Sequence, residues 1–186
     1  MTMRHVIDPI RRRRAQRGVS MVEVMVALVI AAFGLIGLAG LQITGLRYQK
    51  VAAYHGLASQ YAAEMADRMR GNIAAVRAGS YNLAQTNYAP GEPAAPATRC
   101  DQAASNCTPA QMAAFDVYAW RLNLARGIPG GWGEISGNSV SGYVVRVYYQ
   151  EPEVDRTSQA NDVNCRNGAV PAQYKNVHCF VTVVFP

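Results

Sequence analysis

The stretch Gly18–Leu46 reads GVSMVEVMVALVIAAFGLIGLAGLQITGL and is almost entirely apolar. Its only charged residue is Glu23. A helix of about 20 apolar residues is long enough to cross a lipid bilayer. A carboxylate within such a helix costs free energy in lipid, although the cost is smaller near the interface. The stretch therefore predicts a membrane-spanning helix, and the presence of Glu23 in it needs a functional reason.

Five arginines lie just before this stretch, at positions 11–14 and 17. Basic residues beside a membrane segment mark its cytoplasmic side. An ordinary secretory signal has an apolar core of about 7–15 residues and a small-residue cleavage site after it. Here the apolar run is far longer and the glycine precedes it. The pattern therefore favours a single-pass helix with a cytoplasmic N-terminus over an ordinary signal or a basic arm that binds nucleic acid.

A basic leader, then Gly18, then an apolar helix with glutamate at its fifth position resembles the type IV prepilin signal. The resemblance implies that prepilin peptidase cleaves between Gly18 and Val19 and methylates the new N-terminus at Val19. It also implies that Glu23 guides assembly of the subunit. Val19 departs from the family pattern, in which phenylalanine is usual at this position.

Two further stretches, LIGLAGLQ at 35–42 and EMADRMRGN at 64–72, resemble the PilV-type minor pilins of the type IV pilus. The resemblance implies a low-abundance subunit near the pilus tip that supports assembly, adhesion and twitching motility. The partners it implies are other minor pilins, the major pilin and a tip adhesin. Before assembly the subunit would reside in the inner membrane with its C-terminal domain in the periplasm, and afterwards in the pilus at the cell surface.

The chain is predicted to have four parts: a cleaved leader at 1–18, a membrane-spanning half-helix at 19–46, an amphipathic half-helix at 47–78 and a periplasmic globular domain at 79–186. The amphipathic half carries an apolar stripe at spacings of three or four: Tyr54, Ala58, Tyr61, Met65, Met69, Ile73 and Val76. Residues 143–149 and 177–185 alternate with period two, which predicts strands. The expected fold is α+β and pilin-like, a ladle in which the long helix packs on a small antiparallel sheet.

Between the long helix and the strands, residues 79–107 are predicted to be loop. Thr108 is a good N-cap for a second helix, with Pro109 at N1 and Gln111 in a capping box. Gly127 is predicted to occupy the C′ position after this helix. The glycine-rich residues 130–133 are predicted to form a turn.

Four cysteines, Cys100, Cys107, Cys165 and Cys179, follow the membrane segment. An even number in a translocated domain predicts disulfides. Four cysteines allow three pairings, and closeness along the chain favours Cys100–Cys107 and Cys165–Cys179. A metal site at Cys165, His178 and Cys179 is the alternative, but it lacks a paired C-x-x-C motif. No metal and no cofactor are therefore predicted.

The basic charge of the chain is concentrated in the leader. Six of the 18 Lys and Arg residues lie within 1–18 with one acidic residue, which leaves 12 basic and 11 acidic residues from Val19 onward. This near-neutral balance argues against nucleic acid as a partner, because a DNA-uptake pilin would need a basic patch. No G-x-S-x-G, H-E-x-x-H or P-loop motif occurs, so an enzyme is not predicted. A pseudopilin of a type II secretion system, which shares the signal and the helix, remains the other alternative.

Overall fold

The computed structural model describes residues 18–83, 86–102, 105–151 and 162–185. These residues form a long N-terminal helix and a small antiparallel sheet, which confirms the predicted α+β, pilin-like fold class. The elements are α1 (Met21–Gly71), α2 (Ile73–Arg77), α3 (Pro109–Gly127), β1 (Trp132–Asn138), β2 (Gly142–Gln150) and β3 (Val177–Val184). The chain divides into two compact units, Met1–Ile43 and Thr44–Pro186, which are described separately below.

In the first unit, residues 18–43 are helical from Met21 onward and every side chain is exposed. The helix begins two residues after the predicted start because Ser20 caps it. The Ser20 carbonyl oxygen accepts hydrogen bonds from the backbone N–H groups of Glu23 (3.0 Å) and Val24 (3.3 Å). The Ser20 hydroxyl oxygen accepts a further bond from Val22 N at 3.4 Å.

In the second unit, the long helix ends earlier than the predicted Ala78. It is interrupted at Asn72, whose backbone leaves the helical region at φ −130° and ψ 59°. The Asn72 side chain accepts a bond from Ala75 N (3.4 Å) and donates one to the Pro109 carbonyl oxygen (2.9 Å). An asparagine that bonds to nearby backbone in this way competes with continuation of the helix. The short helix α2 therefore begins as a separate helix, with Asn72 as its N-cap.

The three strands pair in the order β1-β2-β3, and both pairings are antiparallel. The alternation predicted for residues 143–149 and 177–185 is confirmed by β2 and β3. The predicted turn at 130–133 is wrong in its second half, because β1 begins at Trp132. Because Gly133 and Gly137 have no side chains, the sequence of β1 shows no apolar alternation with period two. Gly133 is required where it stands, because a Cβ there would overlap the Trp120 ring.

One face of the sheet, here called the inner face, packs against the helices. The inner face of β2 consists of Tyr143, Val145, Val147 and Tyr149. From α1, Ala58, Met65 and Met69 are fully buried in the same core, while Tyr54 and Tyr61 are partly buried. From α3 the core includes Ala113, Val117, Trp120 and Leu124. The predicted packing of the sheet on the apolar stripe is thus confirmed.

Helix α3 begins as predicted, with both halves of the Thr108–Gln111 capping box formed. Its predicted C-terminus is wrong by two residues. Gly127 is the last residue of the helix and Ile128 is the C-cap, in extended conformation at φ −136°. The reason for glycine at 127 is steric, since a Cβ there would overlap the Tyr61 hydroxyl.

The opposite, outer face of the sheet is covered by loops. Its core consists of Tyr88, Trp132, Tyr148, Ala169, Val177 and Cys179. The described residues of 79–107 are loop as predicted, yet Tyr88 in that loop is buried. Its N–H donates to the Ala169 carbonyl (2.8 Å) and its hydroxyl donates to the Gly130 carbonyl (2.7 Å). The alternating apolar residues predicted along β3 lie on this outer face, opposite to the helices.

Candidate functional site: the processing point and the assembly helix

The peptide bond between Gly18 and Val19 lies before the first turn of α1. A Cβ built at Gly18 would meet no atom within 4 Å, and Val19 is 69% exposed. A glycine beside the bond allows a protease backbone to approach closely, because glycine carries no side chain. Among the described residues, no side chain or backbone atom crowds the Gly18 side of this bond. The rest of the predicted leader, residues 1–17, lies outside the described residues.

Glu23 lies in the first turn of α1, four residues after Val19. A carboxylate in the first turn of a helix interacts favourably with the N-terminal end of the helix dipole. No ion pair involves Glu23 within the residues that the structure describes. Residues 19–46 contain no Lys or Arg. A full positive charge that pairs with Glu23 must therefore come from an α-amino group at Val19 or from outside residues 19–46.

From Met21 to Leu41, every residue of α1 except Glu23 is apolar and exposed. Large exposed side chains include Met21, Leu28, Ile30, Phe33, Ile36 and Leu41. The most apolar 18-residue window of α1 has a mean hydropathy of 2.6, and none of its side chains is buried. By length and composition, α1 is the one helix of the described chain that could cross a membrane. A surface of this kind needs to be covered, either by lipid or by other apolar helices.

Comparison with protein families finds a match between residues 13–39 and the prokaryotic N-terminal methylation motif. The matched residues include the predicted cleavage point, Glu23 and most of the apolar helix. The motif supports a type IV pilin-like or pseudopilin protein. Comparisons with curated proteins and with solved structures find no match.

For this pilin-like chain the motif implies processing by prepilin peptidase and assembly with other pilins. Together with the exposed apolar helix it supports membrane anchoring and pilus assembly. The family that the motif defines is one of structural subunits, not of enzymes. The candidate functional site is therefore the segment that the motif covers, residues 13–39.

In the second unit, a charged network attaches α1 to α3. Asp116 is 7% exposed and accepts bonds from Arg68 Nη1 (3.1 Å) and the Tyr81 hydroxyl (2.6 Å). Burial and the bond to Asp116 raise the pKa of Tyr81 well above its usual value. Arg68 also forms an i,i+4 ion pair with Glu64, at 2.8 Å. Asp116 was not among the predicted site residues, although it lies within the apolar face of α3 between Ala113 and Val117, where a charged residue signals a buried partner.

A second buried carboxylate holds the outer loops. Glu134 is 1% exposed and accepts bonds from the Tyr148 hydroxyl (2.7 Å) and Arg166 Nε (2.9 Å). Arg146 Nη1 lies 3.8 Å from the same carboxylate. Burial and the bond to Glu134 raise the pKa of Tyr148 to about 12. Arg166 also donates to the Thr86 carbonyl oxygen at 2.6 Å. Glu134 of β1 is therefore bonded to the loop that contains Arg166 and, through Arg166, to the loop that contains Thr86.

The structure joins Cys100 to Cys107 and Cys165 to Cys179 by disulfide bonds. The first closes the loop before α3, and the second attaches the segment before β3 to the strand itself. With their sulfurs bonded to each other, Cys165 and Cys179 are not free to bind a metal beside His178. Instead, His178 Nε2 and Nδ1 lie near the carboxylates of Glu151 (3.6 Å) and Asp162 (3.8 Å). Among the described residues, no group of three or more His, Cys, Asp or Glu side chains could hold a metal ion.

Proposed function

We propose that this chain is a minor pilin, a subunit that enters a type IV pilus near its tip through the N-terminal part of α1. The observation that carries the proposal is the methylation motif followed directly by an apolar helical surface with no covering in the described chain. Burying apolar surface is worth about 25 cal/mol per Å². Such a surface therefore favours lipid before assembly and neighbouring helices afterwards. The PilV-type subtype, with roles in assembly, adhesion and twitching motility, is supported by the stretches 35–42 and 64–72.

The proposed topology divides the chain by compartment. Residues 1–18 form the cytoplasmic leader, residues 19–46 span the inner membrane, and residues 47–78 and 79–186 lie in the periplasm until the subunit is assembled. The two disulfides are consistent with this placement, because the bacterial periplasm is an oxidising compartment. The proposed partners are prepilin peptidase, the major pilin, other minor pilins and a tip adhesin.

Cleavage supplies the positive charge that the helix lacks. The new α-amino group at Val19 would lie four residues from Glu23, in a region without Lys or Arg. Two opposite charges attract each other more strongly in a medium of low dielectric constant than in water. A carboxylate left unpaired there is costly. Pairing of Glu23 with the amine of its own or a neighbouring subunit would therefore set the register at which the helix packs.

A strain without this chain tests the proposal. We expect fewer surface pili by electron microscopy and loss of twitching, with both restored by the wild-type chain. The wild-type chain should also appear by immunoblot in filaments sheared from the cell surface. Normal piliation combined with loss of protein secretion would contradict the proposal and identify a type II secretion pseudopilin instead.

A further inference from the structure

The two outer edges of the sheet differ in how their backbone groups are satisfied. At the β1 edge, the Gly133 carbonyl accepts a bond from Arg121 Nε (2.9 Å) and the Ile135 carbonyl accepts one from Leu83 N (3.0 Å). At the start of the β3 edge, the Val177 carbonyl accepts from Asp162 N (2.9 Å) and Cys179 N donates to the Asp162 carboxylate (3.4 Å). These positions are therefore closed to a further strand.

Among the described residues, nothing pairs with the remainder of the β3 edge, which is here called the open edge. Backbone groups in an antiparallel strand face the two sides at alternate residues, so those of Val181 and Val183 face outward as Val177 and Cys179 do. In the part of the chain that the structure describes, no group bonds to these outward N–H and C=O groups. The stretch 180–185 reads FVTVVF, without the charges or proline by which proteins usually protect an exposed edge.

A groove runs beside this open edge, between β3 and α1. Its volume is about 300 Å³. The wall from α1 consists of small side chains, Ser59, Ala62, Ala63 and Ala66, and the wall from β3 includes Phe180 and Thr182. A strand added to β3 would point alternate side chains into this groove. Its other side chains would extend the exposed surface of Val181 and Val183, which are 38% and 50% exposed.

We propose that the open edge of β3 and this groove bind an extended, uncharged segment of a neighbouring, different subunit, which adds a fourth strand to the sheet. A helix does not fit this edge, because its own backbone groups are already bonded within it and leave nothing for Val181 and Val183. The segment is uncharged because the only charged lining residue, Arg70, is already paired with Asp67 at 2.7 Å. A further buried charge would lack a partner.

This inference rests on the proposed function, because it requires a filament in which such a neighbour is present. Val183→Lys places a charge beside the edge, and Val183→Pro removes one outward N–H group while leaving the bonds to β2 intact. Val140→Lys is the matched control, since Val140 is 92% exposed in the β1–β2 turn and is not part of β3. We expect both Val183 variants to fold and to be about tenfold depleted from sheared filaments, and Val140→Lys to remain within about twofold of wild type.

The partner is identified by a photoreactive benzoylphenylalanine placed at position 63 in the full chain, with position 140 as the control site. We expect light to cross-link position 63 to an uncharged, extended stretch of another subunit, which mass spectrometry of the cross-linked peptides would locate. A cross-link to β3 of a second copy or to a neighbour's N-terminal helix would overturn the proposal. Wild-type amounts of both Val183 variants in filaments would do the same. Absence of the wild-type chain from filaments would instead contradict the proposed function.

Discussion

The Tyr61 hydroxyl of α1 occupies the space in which a side chain at Gly127 of α3 would have to lie. The same turn of α1 accepts a second contact from α3, a hydrogen bond from Trp120 Nε1 to the Tyr61 carbonyl at 2.8 Å. Helix α3 is thus attached to α1 by the close packing of Tyr61 on Gly127 and by the hydrogen bond from Trp120. The attachment fixes where the sheet lies against the amphipathic part of α1.

Substitution of Gly127 by alanine should destabilise the protein. In a helix this change ordinarily stabilises by about 1 kcal/mol. Here the added methyl group would overlap the Tyr61 hydroxyl, so we expect the free energy of unfolding to fall by about 1–3 kcal/mol. Chemical denaturation of the detergent-solubilised chain measures this.

Two control variants separate crowding from helix propensity. Gly56→Ala in α1 has no atom within 4 Å of the new Cβ and should stabilise slightly. Tyr61→Phe removes the hydroxyl and should recover part of the loss caused by Gly127→Ala. Equal effects of the alanine substitutions at positions 56 and 127 would show that Tyr61 does not restrict this site.

Replacement of Asp116 by asparagine should also destabilise the protein. The change removes the charge that receives bonds from Arg68 and Tyr81 at a nearly buried position. Hydrogen bonds to charged groups are worth about 1.5–3 kcal/mol, so we expect a loss of about 2 kcal/mol in the free energy of unfolding. Asp67→Asn is the control, because Asp67 pairs with Arg70 on an exposed surface where such pairs are worth less than about 1 kcal/mol. Similar losses for the two variants would contradict a structural role for Asp116.

Alkaline pH should unfold the second unit. Burial raises the pKa of Tyr148 and of Tyr149 to about 12, from an ordinary value of 10.0. Because the folded state holds these protons more tightly, the stabilisation is complete below pH 10 and is lost as the pH rises through 12. Tyrosinate absorbance and circular dichroism followed together should show a group of tyrosines that ionise only as the fold is lost. Ionisation of all tyrosines near pH 10 with the fold intact would exclude this linkage.

Elements with strong hydrophobic periodicity could be predicted from the sequence. Elements whose residue types are set by contacts with other segments could not. The stripe Tyr54–Val76 and strands β2 and β3 repeat over enough residues to be recognised, and Thr108 begins α3 by local chemistry alone. Strand β1 was not predicted, because position 133 is a glycine. The glycine leaves space for the ring of Trp120, which belongs to another element. The burial of Tyr88 depends on partners in other segments, so no local pattern indicates it. Asp116 could have been recognised, because it lies within the apolar face of α3. The candidate site could be predicted more fully, because Gly18, Glu23 and the apolar helix are contiguous.

Glu23→Gln tests the charge at the assembly helix. The variant keeps the shape and the hydrogen-bonding capacity of the side chain but removes its charge. We expect normal cleavage and membrane insertion, and at least about tenfold less of the variant in sheared filaments, equivalent to about 1.4 kcal/mol of lost pairing energy. Glu92→Gln, at an exposed carboxylate paired with Arg126, is the control and should assemble normally. Wild-type amounts of the Glu23 variant in filaments would refute charge pairing as the guide to assembly.

We propose that the chain is cut between Gly18 and Val19 and then assembled into a surface filament. Intact-mass spectrometry of the chain recovered from sheared filaments, without reductant, tests it most directly. We expect the mass of residues 19–186 with one added methyl group and four hydrogens fewer, since two disulfides are formed. A chain in the filaments that retains residues 1–18, or one that begins at any residue other than Val19, would contradict it.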